Sequence, residues 1–419
     1  MTASEASALT PAVPKPEHIP DALVYDFDLW HDPALNADPG ARLLDLAQNA
    51  PPVFWSPRQE GKWFVSGFEA ACEAARDWEN FSSESVPHAH LKAVNDMRPV
   101  GTPHIAIPFP ICLDPPTHEL YRKPLNAVFS PKAMSALQSN IRAQAIELIE
   151  AFKANPDREF VSAVAEPLPV TVFLNMMGLP LDKVPYYREL VKNSLPGLKS
   201  REEMHGANMA ITAAMRGTFI ARKNEPRDDL ISLLWATEID GQPMTLDDME
   251  NIGMLLFLAG LDTVIQAIGF GVRHLAMDMK LQEQLRANPD LINDTKEELM
   301  RRYSFTNVHR HVARDMEYYG APLKKGDWVI VSLPIADLDP AHFKDPGLID
   351  PEREDKVHIA FGTGPHRCLG SHLARFELQI IYEELLRRVP SFHLNADRPP
   401  TFHGGSVIGV DTLHLDWGT

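Results

Sequence analysis

The decapeptide FGTGPHRCLG, from Phe361 to Gly370, constrains this chain more than any other segment. Gly362 and Gly364 permit tight backbone turns ahead of Cys368, and Pro365 stiffens them. Gly370 then opens the run SHLARFELQIIYEELLRR, whose apolar and charged residues repeat at helical spacing. Cys368 is thus expected in a rigid loop at a helix start, where backbone N–H groups and the helix dipole favour a thiolate. A thiolate so placed is either a nucleophile or a metal ligand, and the remaining residues must decide between them.

Composition narrows the setting. The chain has 419 residues, enough for two or three domains or one large helical unit. Apolar residues make up 44% and charged residues 23%, which reads as a globular protein with a large core. A net charge of −17 argues against general binding to nucleic acid or to anionic membranes. The three cysteines, Cys72, Cys112 and Cys368, form neither a disulfide framework nor a zinc cluster, and the first two read as packing residues. The opening MTASEASALTPAVPKPEHIP lacks a basic region followed by an apolar one, so it does not resemble a signal peptide. Asp262 and Gln266 interrupt the longest apolar run, so no membrane span is expected and the chain is read as cytoplasmic.

Periodicity predicts a mainly α protein with small β-sheets. Residues 1–20 read as a mobile N-terminal arm and 21–419 as a single domain. A strand pair is expected in FWSPRQEGKWFVSG, turning near 59–61. Residues 81–112 carry several prolines and histidines with little periodicity, and read as a long irregular loop covering a site. Helices are expected over 40–50, 67–78, 116–128, 131–153, 162–177, 182–194, 201–223, 280–287, 294–303 and 371–389, with the longest over 247–279. Short strands fit 310–319, 327–332 and 401–416.

Two further constellations stand out. Glu298 and Arg301 in KEELMRR are spaced i,i+3, which puts carboxylate and guanidinium on one helix face. Arg353 in DPERED completes a candidate buried Glu–Arg–Arg network that fixes one geometry when every member is satisfied. Within the longest helix, Asp262 and Thr263 break an apolar run, where a Thr hydroxyl bonding one turn back opens the helical ladder. Gly260 beside them reads as room for a flat ligand.

Together FGTGPHRCLG at 361–370, EELMRR at 297–302, AGLDTV at 259–264 and DPPTHELYR at 114–122 resemble the cytochrome P450 family, the haem-thiolate monooxygenases. The resemblance runs from about Asp26 to Trp417. It is strongest to the soluble bacterial camphor hydroxylase group, through FSSES at 81–85, LDPP at 113–116, LKKGD at 323–327 and LGSHLAR at 369–375. It implies a triangular, largely helical fold around haem b and a reaction that inserts one atom of O2 into a C–H bond.

The resemblance also implies roles. Cys368 is the metal ligand, its thiolate favouring O–O cleavage. Asp262 and Thr263 deliver protons on the oxygen side, a task needing an exchangeable hydroxyl and a carboxylate that turns toward solvent. His118 and Arg122, one helical turn apart, with Arg310 and His366, bind the haem propionates. The substrate pocket falls to Ala106, Leu255, Leu258, Ala259, Thr306, Val308, Ser406 and Val407. The camphor hydroxylase tyrosine that anchors a ketone has no counterpart here: its position falls near Ala106, and His88, His90 and His104 are the nearby donors. Val308 also replaces an aspartate. A terpenoid or norisoprenoid such as an ionone-like ketone is therefore expected in place of camphor.

The sequence carries no flavin- or ferredoxin-like unit, so electrons must come from outside. In the resembling group the donor is a [2Fe-2S] ferredoxin reduced by an NADH-dependent ferredoxin reductase. Arg76, Arg122, Lys356 and Arg367 form the candidate docking face, diluted by Glu119. A monomer is expected. Two other readings share these features: a peroxide-using haem-thiolate peroxygenase, and a non-catalytic haem-based sensor of small ligands. A cysteine hydrolase fits poorly, because the loop around Cys368 is shaped to clamp a planar group.

Overall fold

The computed structural model describes residues 8–99, 102, 104–194 and 201–418. Helices dominate. The long apolar stretch forms two consecutive helices, Leu246–Leu261 and Thr263–Met277, meeting at Asp262. Thr245 starts the first with a reciprocal cap: its hydroxyl accepts from Asp248 N, and the Asp248 carboxylate accepts from Thr245 N. Together the pair is long and apolar enough to cross a membrane by length and composition, contrary to the sequence expectation, but most of it is buried inside the protein. The stretch is a core element because its neighbours, Arg201–Asn224, Pro167–Met177 and Ser371–Arg388, pack around it.

A five-stranded sheet lies to one side, in the order Val53–Ser56, Lys62–Val65, Trp328–Ser332, Asn307–Val312, Phe81–Ser82. Its second and third strands are parallel, pairing Phe64 with Ile330, and the remaining neighbours are antiparallel. Val53–Ser56, Lys62–Val65 and Trp328–Ser332 are short runs of mainly β-branched and aromatic residues and almost wholly buried, whereas Asn307–Val312 buries alternate stretches and leaves Val308, His309 and His311 part-exposed. This sheet fixes where Thr306, Val308 and Arg310 emerge. The hairpin Thr401–His403 with Gly409–Thr412 lies against Thr263–Met277.

Two expectations about the N-terminal third are corrected. Residues 8–20 do not hang free: Thr10 donates through N and Oγ1 to Asp28 Oδ2 at 2.7 and 2.8 Å, Val13 N bonds Pro57 O at 2.9 Å, and Ile19 is buried. Residues 1–7 lie outside the described part. The 81–112 region is not wholly irregular, since Phe81–Ser82 is an edge strand and His88–Asp96 a helix. No residue of that helix is buried, so it has no apolar stripe for periodicity to reveal.

Candidate active site

Backbone geometry holds the cysteine loop. Gly362 and Gly364 adopt φ of 68° and 72°, a region that suits glycine. A Cβ on Gly364 would sit 2.7 Å from Ala75 O, so that turn also needs glycine to pass the neighbouring helix. Cys368 N donates to Phe361 O at 2.8 Å, closing the loop, and the Arg375 guanidinium lies 4.3 Å over the Phe361 ring. Cys368 keeps solvent access although protein is dense around its sulfur. Burial pushes its thiol up, outweighing the Gly370 N–H and the nearby Arg122, Arg375 and Arg367, which all favour the thiolate. Helix-start stabilisation alone therefore does not ionise this cysteine; a directly bound cation is what would complete it. Cys72 and Cys112 are likewise raised by burial, each to about 11.

Beside the loop, four basic side chains converge. The His118 and His366 rings stand 4.4 Å apart, edge to face. Both ring nitrogens of His118 are buried without a hydrogen-bond partner. His366 Nε2 meets Ser83 Oγ at 3.0 Å. Arg122 donates to Arg367 O at 2.6 Å and to Asn126 Oδ1, which leans it over the cysteine loop. Arg310, on the sheet, is buried and donates to His309 O. Among the described residues none of the four is ion-paired. The carboxylate nearest in effect, Asp114, is taken up by Ser82 Oγ and Ser83 N. Burial depresses all four, and the neighbouring arginines add to it for the two imidazoles: His118 falls to about 4, His366 to about 2, Arg310 to about 10 by burial alone, and Arg122 below its usual value mainly by burial. Desolvated cations and an orphaned buried imidazole form a cradle for a group bearing two anions. Next to the sole cysteine held in such a loop, these residues fit a planar, doubly anionic, thiolate-held cofactor.

The Glu–Arg–Arg residues do meet. Arg301 Nε and Nη2 donate to Glu298 at 2.8 and 3.1 Å, and Arg353 Nε donates to Glu298 Oε2 at 2.9 Å. Asp350 N adds a fourth donor, while the remaining guanidinium hydrogens reach the carbonyls of Asp337, Pro346, Leu348 and Lys344. Burial pushes the Glu298 carboxyl up, but its two arginines outweigh that and hold it below the usual range.

At the helix junction Thr263 Oγ1 donates to Ala259 O at 2.8 Å. Asp262 is buried and accepts from Gln266 Nε2 at 3.0 Å through Oδ1, while Oδ2 has no partner. Burial raises its pKa, so this carboxyl takes up a proton more readily than one in water. Gly260 does not make room for a ligand: a Cβ there would lie 2.6 Å from the Phe173 ring, so the glycine serves helix packing.

Leu255, Leu258 and Ala259 are part-buried or exposed on an otherwise buried helix, as residues facing a cavity are. Thr306 bridges Val407, and Asn307 N bonds Ser406 O at 2.7 Å, which brings Thr306, Val308, Ser406 and Val407 to one place. Ala106 is half-buried on a segment tied to the helix Leu246–Leu261: Ile107 N donates to Asn251 Oδ1 and Phe109 N to Asn251 O. His88 meets Phe109 edge to face, and His104 bonds Asn251. The roles of Asn251 and Glu250 escaped sequence reasoning; the faint signal was polar residues at 247, 250 and 251 on an apolar helix. On the proximal surface Arg76 and Arg367 are exposed, and Arg76 Nε reaches Thr363. Lys356 is half-exposed and pairs with Asp294 at 2.9 Å, which offsets its charge on that face.

Comparison with known proteins agrees with this geometry. The family model for cytochrome P450 matches residues 170–412. A probable cytochrome P450 127A1 of Sinorhizobium fredii is 34% identical, over 96% of this chain and 97% of its own. A steroid C26-monooxygenase of Mycobacterium tuberculosis and a linalool 8-monooxygenase of Pseudomonas putida are each 29% identical, over 84% and 87% of this chain and 95% and 92% of their own. The crystal structure of CYP101J2 superposes with a TM-score of 0.85 at 30% identity, covering 97% of this chain and all of that one. The chain belongs to the cytochrome P450 family: it is a haem b-dependent P450 monooxygenase.

Proposed function

We propose that this monooxygenase hydroxylates a small or medium apolar substrate, a terpenoid or norisoprenoid such as an ionone-like ketone, with electrons from a [2Fe-2S] ferredoxin and its NADH-dependent reductase. The overall balance is RH + O2 + NADH + H+ giving ROH + H2O + NAD+. Bound haem supplies O2 activation at its iron. Cys368 is assigned as the iron ligand, and His118, Arg122, Arg310 and His366 as the propionate cradle. The observation that carries this assignment is the cluster beside the cysteine loop of two arginines without an ion pair and two imidazoles, one of which has both nitrogens buried without a partner.

The chain's own residues then divide the work. Thr263 presents a hydroxyl on the oxygen side, and its bond to Ala259 O fixes its rotamer. Asp262, holding protons more readily than usual and with Oδ2 free, carries protons toward it. Leu255, Leu258, Ala259, Thr306, Val308, Ser406, Val407 and Ala106 shape an apolar pocket with few hydrogen-bond donors. Such a lining suits a compact hydrocarbon skeleton, and one relative is named for acting on linalool. Another is named for a steroid, so substrate size is the open choice the test must make. Arg76 and Arg367 remain the exposed cations for ferredoxin docking.

Titration of the ferric holoenzyme with β-ionone, linalool and a cholestane steroid tests the substrate class. A low-to-high-spin shift with the first two at micromolar concentration is expected, and a shift with the steroid alone would overturn the class. Thr263→Ala is expected to raise the share of NADH recovered as hydrogen peroxide by about twofold or more.

A further inference from the structure

Away from the cysteine, a second charged cluster joins the 104–109 segment to the helix Leu246–Leu261. His104 is 3% exposed. Its Nε2 lies 3.0 Å from Asn251 Oδ1, and Ile107 N donates to that same atom at 3.0 Å. The backbone donor fixes the atom as the amide oxygen, so His104 Nε2 must carry a hydrogen. Nδ1 then lies 3.0 Å from Glu250 Oε2 and 3.7 Å from Asp247 Oδ1, within ion-pair reach though off the hydrogen-bond axis. A neutral imidazole would turn a lone pair toward two carboxylates here. The arrangement is attractive only when Nδ1 holds a cation.

A proton fits better than a metal. Asp247 Oδ2 is paired with Arg98 at 2.7 Å, and Glu250 Oε1 with Arg216 at 2.5 Å. Two carboxylates are thus already balanced by two guanidiniums, and a divalent ion would leave twice the excess charge that a proton leaves. The three ligand-type atoms do lie close enough to hold an ion, so the metal is the outcome to be tested against. The neighbouring Asp248 is engaged by Thr245 and Tyr121. Arg98 follows the helix His88–Asp96, and Arg216 lies on Arg201–Asn224, so one imidazolium gathers four elements.

We propose that His104 is a positioning residue whose imidazolium clasps the 104–109 segment to the helix Leu246–Leu261 and holds the mouth of the haem pocket closed. This rests on the proposed pocket reading, in which Ala106 on the clasped segment borders the substrate. Burial disfavours the charged ring, but Glu250, Asn251 and Asp247 outweigh it and raise the His104 pKa above its usual 6.5. The clasp is therefore complete below about pH 6.5 and is lost as pH rises through the folded-state value.

The test uses the reduced holoenzyme, with CO as probe because CO does not titrate. Two readouts are followed from pH 6 to 9.5: the bimolecular CO association rate after flash photolysis, and the exchange protection of the Ile107 amide corrected for intrinsic rate. In the wild type the rate is expected to rise roughly threefold or more with pH while Ile107 protection falls. His104→Gln should be fast and unprotected at every pH. Glu250→Gln offers an N–H to the neutral ring, so it should be slow and protected at every pH. A pH-independent wild type, a titrating His104→Gln, or a slow phase abolished by EDTA overturns the clasp. The CO band separates this from the site reading: without a thiolate-type band the haem assignment fails, and with it only the clasp is at stake.

Discussion

Two buried charge clusters in this protein differ in one respect, completeness. Around Glu298, two guanidiniums, one carboxylate, a backbone N–H and a ring of carbonyls satisfy one another. Around His118, four basic groups converge with no ion pair, and an imidazole has both nitrogens empty-handed. The first cluster is finished by the fold and serves the fold, tying Glu298 and Arg301 to the 337–353 segment. The second is finished only by a ligand. A buried network that the chain cannot close by itself marks a binding site, whereas one it closes fully marks a brace.

The largest expected effect lies in the finished cluster. Glu298→Gln leaves two buried guanidiniums facing a neutral amide, and should cost about 3–5 kcal/mol of folding stability in denaturant titration. An equal loss of stability from Arg310→Met would erase the distinction between the clusters. Arg353→Lys keeps the charge but forfeits the fork that reaches Lys344 O, Asp345 O and Leu348 O, for a loss of about 1–2 kcal/mol.

The unfinished cluster should respond with opposite sign in the two states. Arg310→Met removes a desolvated cation, so the apoprotein should be as stable as wild type or more so. Haem transfer to apomyoglobin should accelerate about tenfold, since a charged propionate contact of about 1.4 kcal/mol is lost. A destabilised apoprotein with unchanged haem retention would contradict the assignment.

Acid sharpens the comparison further. His118 titrates near 4 when folded and near 6.5 when unfolded, so the unfolded apoprotein binds more protons between those values. Its contribution to stability is full above about pH 6.5 and is lost as pH falls toward 4. Glu298 is depressed, so its contribution holds down to the usual carboxylate range and fails only below it. His118→Phe should remove part of the fall in apoprotein stability between pH 6.5 and 4, His366 supplying the remainder, and leave the decline at lower pH intact. Chemical denaturation across pH checks both limbs.

What could be read in advance follows sequence distance. The cysteine loop, the i,i+3 pair Glu298–Arg301 and the interruption at Asp262–Thr263 are local patterns, and each appears where its residues predict. The His104–Asn251 contact spans 147 positions and joins a loop to a helix face, so nothing local announces it. Gly260 shows the same limit from the other side: a helical glycine signals that something comes close, but not that it is Phe173. The helix His88–Asp96 escaped because it buries no side chain, and the Asp294 partner of Lys356 went unseen because it lies 62 positions away on another element.

The most direct test of the central claim is the optical spectrum of the reduced, CO-bound protein beside that of Cys368→Ser. A strongly red-shifted Soret band in the wild type, lost in the variant while haem stays bound, is the expected result. An ordinary histidine-type band in the wild type, or a red-shifted band that survives the substitution, would remove Cys368 as the iron ligand and contradict this account of the site.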